Sequence, residues 1–420
     1  MTISLLTYLQ GYKGTEIEHF DRLGRQYSTT ETVYVIIRMV PAIFSAFCAP
    51  LIYCSCRLLY ITPFSSLVAS LFVALDTSMI VESKFILSDG VLHFYCALHF
   101  FCFSLFIRRG GTVLAILAGI TLGMAGSCKF TALGLIAVDG ISQIIWIFMA
   151  KPTLFEIIIR AIAILMPAFL ITYLSWLIHF AITPISGHHG YYIKKEDSHT
   201  IADPKKINTY YWGNRVSRSS YLLRFIRWNI VMNGINMRSK IPHPWESNPK
   251  YWPYLGDKYV SFYSKPNRRI CCMGSPLIYW TTFFGMVITF PSLLFKRAGW
   301  QNLLFMLSWA VSYIPFLGVP RTMFHYHYLI PLMFASMNLS ALIDRMFRLR
   351  SVRGFVCMTL IILCVLCYLY FAPWIYGTEC PNCTATRIWW SRWNQGPPRP
   401  LLYYGKELFK TKEKRIKLPI

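Results

Sequence analysis

Single charged or imidazole side chains punctuate long apolar runs in this chain of 420 residues. Arg38 lies in VIIRMVPAIF, Glu82, Lys84 and Asp89 lie in VESKFILSDG, and Lys129 lies in GMAGSCKFTALG. Arg321, His325 and His327 lie in PRTMFHYHY, and Asp76, Asp139 and Arg160 complete the set. Such groups are expensive in lipid and are functional candidates by default. Cations of this kind hold phosphate, and a carboxylate or imidazole beside them can bind a polar head or move a proton. The chemistry suggested is recognition of an anionic lipid at one membrane face. The plainer reading of each residue alone is an interfacial anchor or an interhelical ion pair.

The elements that carry these residues follow from composition. The chain is 55% hydrophobic and only 14% charged, with mean hydropathy +0.43. A soluble domain carries roughly a quarter charged residues. Ten apolar runs have the length needed to cross a bilayer of about 30 Å. They lie near 33–56, 63–81, 85–107, 112–127, 130–150, 154–182, 276–295, 300–319, 322–343 and 354–376. The expected fold class is an all-α polytopic membrane protein. A membrane barrel would show short alternating strands, and the sequence shows none.

The chain divides into five parts: an N-terminal segment 1–32, about six spans in 33–182, a polar loop 183–275, about four spans in 276–376, and a basic tail 377–420. Met1 to Thr32 has no charged start, long apolar stretch and small-residue cleavage site, so no signal peptide is expected. Basic residues in short connections set orientation. One set of connections holds Arg57, Arg108, Arg109, Lys151, Lys296, Arg297, Arg345, Arg348, Arg350 and Arg353; the other holds only Lys84, Lys129 and Arg321. The first set is expected to be cytoplasmic. Both termini, the long loop and Lys129 then face the opposite compartment.

The net charge of +24 sits largely in the translocated parts. The loop carries 15 Lys and Arg against 5 Asp and Glu, and the tail 9 against 3. Such a surface attracts anionic lipid or a phosphate-bearing substrate, though solvated loop surface is the plainer reading. Nucleic acid is excluded for a face turned away from the cytoplasm. Nine of the thirteen cysteines lie in or beside apolar runs, where Cys acts as a small hydrophobe. Cys271, Cys272, Cys380 and Cys383 do not, and ECPNC can close a local disulfide or contribute to a metal site. One CxxC falls short of the four ligands of structural zinc, so no metal is expected. Asn382 in NCT also matches a glycosylation acceptor.

Depth sorts the charged set. Glu82, Lys84 and Lys129 fall at helix ends on the side of the long loop, and Asp89 about one turn into its span. Arg321, His325 and His327 begin theirs, and Arg38 lies about a turn and a half inside. Arg160 starts its span near the opposite face, where snorkelling accounts for it. The first eight therefore share one layer.

Seven blocks fall in order along the chain: YVIIRMVPAIFSAFCAPLIY, VESKFILSDGVLHF, GITLGMAGSCKFTALGL, MNGINMRSKIPHPWESNPKYWPYL, CCMGSPLIYWTT, TMFHYHYLIPLMF and FAPWIYG. From about Leu5 to Trp393 the chain resembles the protein O-mannosyltransferase family of dolichyl-phosphate-mannose-dependent enzymes. The resemblance implies a C-type glycosyltransferase-like bundle with a lumenal site. It also implies inverting transfer of mannose from dolichyl phosphate to Ser or Thr hydroxyls of secretory proteins. By position, Arg38 and Lys129 match basic residues near the lipid phosphate, while Asp89, His325 and His327 match positions that shape the site. Glu82, Lys84 and Arg321 would support them. No cofactor beyond the donor lipid is implied. Partners would be Ser/Thr-rich acceptor proteins and a homologous subunit, in the endoplasmic reticulum membrane or, for a bacterial member, the plasma membrane.

Two departures qualify that expectation. The family's catalytic Asp-Glu pair and His-Pro-Pro block would lie upstream of Met1, so the catalytic residues cannot be named within this sequence. Glu16, Glu18 and Asp21 lie beyond that pair. The loop 183–275 is also too short for the β-trefoil MIR domain that eukaryotic members usually insert there. The alternatives are an inactive family member serving as partner subunit or lipid scaffold, or another lipid-linked-sugar transferase. A transporter would show repeat symmetry or interrupted helices near the midplane, and neither stands out.

Overall fold

The computed structural model describes residues 2–9, 33–182, 220–238, 243–265 and 267–393. After a short α1 (Thr2–Leu9), α2 (Val33–Ala46) and α3 (Cys48–Leu58) make one near-continuous apolar span. Helices α4 (Pro63–Ala74) and α5 (Thr77–Ser83) follow, then α6 (Asp89–Arg109), α7 (Thr112–Cys128), α8 (Gly134–Ala150) and α9 (Leu154–Ile182). A helix α10 (Tyr221–Arg238) lies inside the segment read as polar loop. The second block holds α11 (Pro276–Leu294), α12 (Trp300–Tyr313), α13 (Pro315–Gly318), α14 (Leu329–Met346) and α15 (Arg350–Tyr376), with α16 (Cys383–Arg387) beyond it.

The chain is a helical, multi-pass membrane protein. Each of the ten apolar runs folds as helix, but by length and composition seven among the described residues can cross a membrane, or eight counting α4 and α5 together. Two runs fall short because the chain breaks early: α7 has 17 residues and α12 has 14. The α4–α5 pair is bent by 48°. Asp76 sits at that bend and serves the architecture. Its carboxylate accepts from Met79 N at 2.9 Å and from Ser275 N at 3.0 Å. It caps α5 and ties it to the start of α11.

Helix α14 is the buried axis, enclosed chiefly by α4, α11 and α12. Asn302 of α12 donates to Asn338 Oδ1 at 2.9 Å, and Asn338 donates to Thr289 Oγ1 at 2.9 Å, joining three helices inside the bundle. Helices α7 and α9 pack backbone to backbone. A Cβ at Gly119 would collide with the Ile164 carbonyl, and one at Gly123 would lie 2.6 Å from the Ala168 oxygen.

Asp139 also proves structural. His99 of α6 meets Asp139 of α8 at 3.1 Å and the Ala118 carbonyl at 3.0 Å, so one imidazole ties three helices. Asp139→Leu is expected to lower thermal stability by about 1–3 kcal/mol, because it leaves a buried ring nitrogen unpartnered. Thermal unfolding of the purified variant measures this, and an unchanged midpoint would refute the tie.

Strands are present where none was expected. The strands β1 (Val260–Lys265) and β2 (Arg268–Cys272) form an antiparallel hairpin between α10 and α11. Neither alternates in sequence: VSFYSK carries a register shift between Ser261 and Tyr263, and RRICC sets like residues side by side. The start of the tail docks on this hairpin. Gly377, at φ +63°, turns the chain against Ile270. Cys380 and Cys383 close the local disulfide, and Cys380 N donates to Asn267 O. Trp393 is fully buried and donates to Leu255 O at 2.7 Å.

Candidate functional site

Three helix ends bring the expected residues to the hairpin end of the bundle. Helix α5 ends at Ser83 with Lys84 as its C-cap, and a short turn leads to Asp89, the first residue of α6. The expectation of Asp89 one turn inside its span is thus corrected. An acid is favoured in the first turn of a helix, where the dipole is positive. Lys129 caps the end of α7 in extended backbone, before the one-turn helix Phe130–Leu133. It sits in a turn, and its Nζ lies 2.6 Å from Asp89 Oδ1. The ammonium also stands 5.7 Å from the Tyr326 ring.

Glu82 lies close to this pair. Its side chain is 1% exposed, and among the described residues neither carboxylate oxygen has a hydrogen-bond partner. His93 Nδ1 lies 3.9 Å from Glu82 Oε2. His93 falls one helical turn after Asp89, so both occupy the same face of α6. Glu82, Asp89, His93 and Lys129 are within electrostatic reach of one another. The four form an enclosed group with two carboxylates and one permanent cation.

Two further cations stand beside it. Arg38 Nε donates to the Lys84 carbonyl at 2.5 Å, and its guanidinium lies 5.3 Å from the Phe85 ring. Lys84 Nζ lies 3.7 Å over the Tyr376 ring. Partial burial, and then the neighbouring Arg38 charge, lower the Lys84 pKa to about 8. Arg321 donates to Asn236 Oδ1 at 2.7 Å. His327 is pinned by the Phe324 backbone at 2.8 Å, stacks on Tyr326 and Trp252, and senses Lys129, Asp89 and Arg321.

His325 departs from the group. It is 3% exposed, turned into the core against Tyr279 at 4.9 Å, with the Trp252 backbone beside it. The turn His325–Tyr328 is a 3₁₀ helix, so residues two apart point to different sides. The layer expected from sequence therefore resolves into a Glu82–Asp89–Lys129 group flanked by His327 and Arg321, an adjacent Arg38–Lys84 pair, and a separate core histidine. Sequence reasoning passed over His93, Tyr326, Tyr376 and Asn236. Only His93 carried a signal, four residues after Asp89 on a helix. Glu16, Glu18 and Asp21 lie outside the described residues. Among the described residues no three His, Cys, Asp or Glu side chains converge as a metal requires.

A solved chain shares this fold over most of its length. It comes from the structure of the S. cerevisiae protein O-mannosyltransferase Pmt1-Pmt2 complex bound to the sugar donor. The TM-score is 0.81 at 17% identity, covering 96% of this chain and 87% of that one. This establishes a common fold. Two family profiles then divide the sequence between them: dolichyl-phosphate-mannose-protein mannosyltransferase over residues 1–189, and the C-terminal four TMM region of protein-O-mannosyltransferase over residues 221–394. The chain belongs to the protein O-mannosyltransferase family.

Among curated relatives, a Candida albicans dolichyl-phosphate-mannose–protein mannosyltransferase is 23% identical over 236 residues, covering 49% of this chain and 31% of that protein. A Saccharomyces cerevisiae one is 27% identical over 218 residues, covering 46% and 26%. The chain thus spans about a third or less of the length of these relatives.

Proposed function

We propose that this chain binds dolichyl phosphate mannose and serves the transfer of its mannose to Ser or Thr hydroxyls of secretory-pathway proteins. The observation that carries this reading is that three separate elements bring Arg38, Lys84 and Lys129 to the same end of the bundle, Arg38 against the Lys84 carbonyl and Lys129 against Asp89. A phosphodiester leaving group needs that concentration of charge as its bond to the sugar breaks. Among the described residues Arg38 keeps both terminal nitrogens for a forked contact with phosphate, Lys129 reaches it from the turn after α7, and Lys84 adds a third charge. Asp89 holds Lys129 in place and releases it when phosphate arrives. His327 and Arg321 border the mannose, while His325 acts through the packing around Tyr279. No described residue is assigned as the base for the acceptor hydroxyl.

In this reading the site faces the lumen of the endoplasmic reticulum, together with segments 1–32, 183–275 and 377–420. The span blocks 33–182 and 276–376 cross the membrane. A homologous subunit completes a dimer, as in the yeast complex whose name records such a pair.

The deciding experiment uses the full chain in lipid nanodiscs, alone and with a family subunit. It follows binding of dolichyl phosphate mannose and transfer of labelled mannose to a Ser/Thr-rich peptide. Binding with transfer supports the proposal. Binding without transfer in either setting assigns the chain to the scaffold reading, and failure to bind the donor rejects both. Lys84 adds a pH signature. It is protonated below its pKa of about 8, so its share of donor affinity is present at pH 7 and lost by pH 9. Lys84→Met is expected to remove that part of the pH dependence, and an unchanged profile would exclude Lys84 from the phosphate site.

A further inference from the structure

At the opposite end of the bundle, α6 gives way to α7 through Gly110 and Gly111, at φ +67° and +92°. Helix α8 gives way to α9 through Lys151, at φ +48°. Between these turns lies a cavity of about 250 Å³, lined chiefly by Phe106, Trp146, Phe155, Glu156, Ile159 and Arg160. That is smaller than the ~300–1,000 Å³ of pockets that enclose a whole drug-sized ligand. It suits one polar head.

Two opposite charges line it, one turn apart on α9. A Glu and an Arg so spaced ordinarily pair with each other. Here no ion pair joins them. Glu156 Oε2 instead accepts from Thr153 N at 2.7 Å and Thr153 Oγ1 at 2.9 Å. Arg160 lies with its guanidinium 3.6 Å from the Trp146 ring centroid and 4.7 Å from that of Phe106. Among the described residues, one of its five N–H donors is used, on Gln143 Oε1 at 3.3 Å. An arginine merely reaching for water would not lie against two aromatic rings.

The surroundings place the cavity at an apolar–polar boundary. Phe155 of its wall is more than 70% exposed, as are Val113 and Phe148, which closely follow the lining residues Thr112 and Trp146 in the chain, as befits lipid-facing side chains. Arg108 and Arg109 end α6, and Lys151 sits in the turn after α8. We propose that this cavity is a binding site for the head group of a zwitterionic phospholipid. Its phosphate lies on the unused Arg160 donors, and its ammonium lies against Glu156 and the edge of the aromatic wall. Glu156 disfavours a head group with net negative charge. The exposed apolar rim, continuous with the cavity, receives the acyl chains and favours a lipid over a soluble phosphoamine. The site is independent of the mannosyltransferase reading.

The test is native mass spectrometry of the full chain released from nanodiscs of phosphatidylethanolamine, phosphatidylcholine and phosphatidylglycerol in equal parts. The two amine-bearing lipids are expected to be retained over phosphatidylglycerol by roughly 3- to 10-fold. Arg160→Gln lowers retention of all three by roughly tenfold. Glu156→Gln, at an exposed side chain that does not endanger folding, abolishes the preference while sparing phosphatidylglycerol. Arg160→Lys, which keeps the charge but loses the planar fork, gives an intermediate result. Retention in the bulk ratio, or retention indifferent to both Gln variants, overturns the proposal. Phosphatidylglycerol held as well as the others by the wild type makes this a simple anion site and also overturns it. Displacement of bound lipid by millimolar phosphoethanolamine or inorganic phosphate, as readily as by lipid, overturns the assignment to a lipid.

Discussion

Replacing Lys129 by methionine is expected to weaken binding of dolichyl phosphate mannose by roughly 10- to 100-fold, the loss of one charge-assisted hydrogen bond to phosphate. The same change strands Asp89, whose side chain is 10% exposed. Removing one member of a buried ion pair is strongly destabilising, but Lys129 keeps 32% of its side chain exposed. Solvent screening then reduces the stability loss to about 1–3 kcal/mol. Reduced binding could thus reflect a weakened fold. The Asp89→Asn/Lys129→Met double variant separates the two causes, because it removes both charges together. It should recover thermal stability while donor affinity stays low. Titration of donor into each variant, beside its unfolding midpoint, checks this. Wild-type affinity in the double variant would take Lys129 out of the phosphate site.

Donor affinity is also expected to fall as the pH rises above neutrality, with net proton uptake on donor binding. The reason lies in the charges around Lys129. Glu82 faces it from α5, Asp89 and His93 from α6, and His327 and Arg321 from the segment leading into α14. The single ammonium balances Asp89 at 2.6 Å, and Glu82 has only His93 at 3.9 Å. A phosphate that draws Lys129 away leaves two enclosed carboxylates around one imidazole. Two such carboxylates cannot both stay charged without a cation. The proton is therefore taken up on the Glu82–Asp89–His93 group. Calorimetric titration of donor in buffers with different ionisation heats gives the proton count as a slope. His93→Gln should reduce that slope while leaving binding in place at acidic pH. Lys84 weakens binding with rising pH in the same direction, so the comparison is best made in a Lys84→Met background. A zero slope there, with donor bound, would exclude the exchange of partners.

Several of the expected residues lie together at one bundle end, and the reasons are local. Glu82, Lys84 and Asp89 lie within eight residues, so any compact turn between two helices brings them to the same end. Lys129 was legible as a turn residue because apolar runs press on it from both sides. What sequence could not resolve was direction. His325 and His327 look equivalent in FHYHY, yet a 3₁₀ turn sends one into the core and the other to the Lys129 group. Asp76 and Asp139 looked like site candidates, but one caps a bent helix and the other ties three helices through His99. Both are charges kept for architecture, and spacing alone does not separate that use from chemistry.

By itself the sequence determined the class of molecule, the helical runs and the clustering of cations at two opposite ends. Each depends on composition or on contacts between near neighbours, and hydrophobic length has few physical solutions in a membrane. The tertiary structure alone decided which charge meets which. The Lys129–Asp89 pair spans 40 residues and the Arg38–Lys84 contact 46. The docking of Trp393 beneath Leu255 spans 138. Contacts at such separations depend on how helix ends are staggered and rotated, and that is set by packing, as where α7 closes on α9 at Gly119 and Gly123.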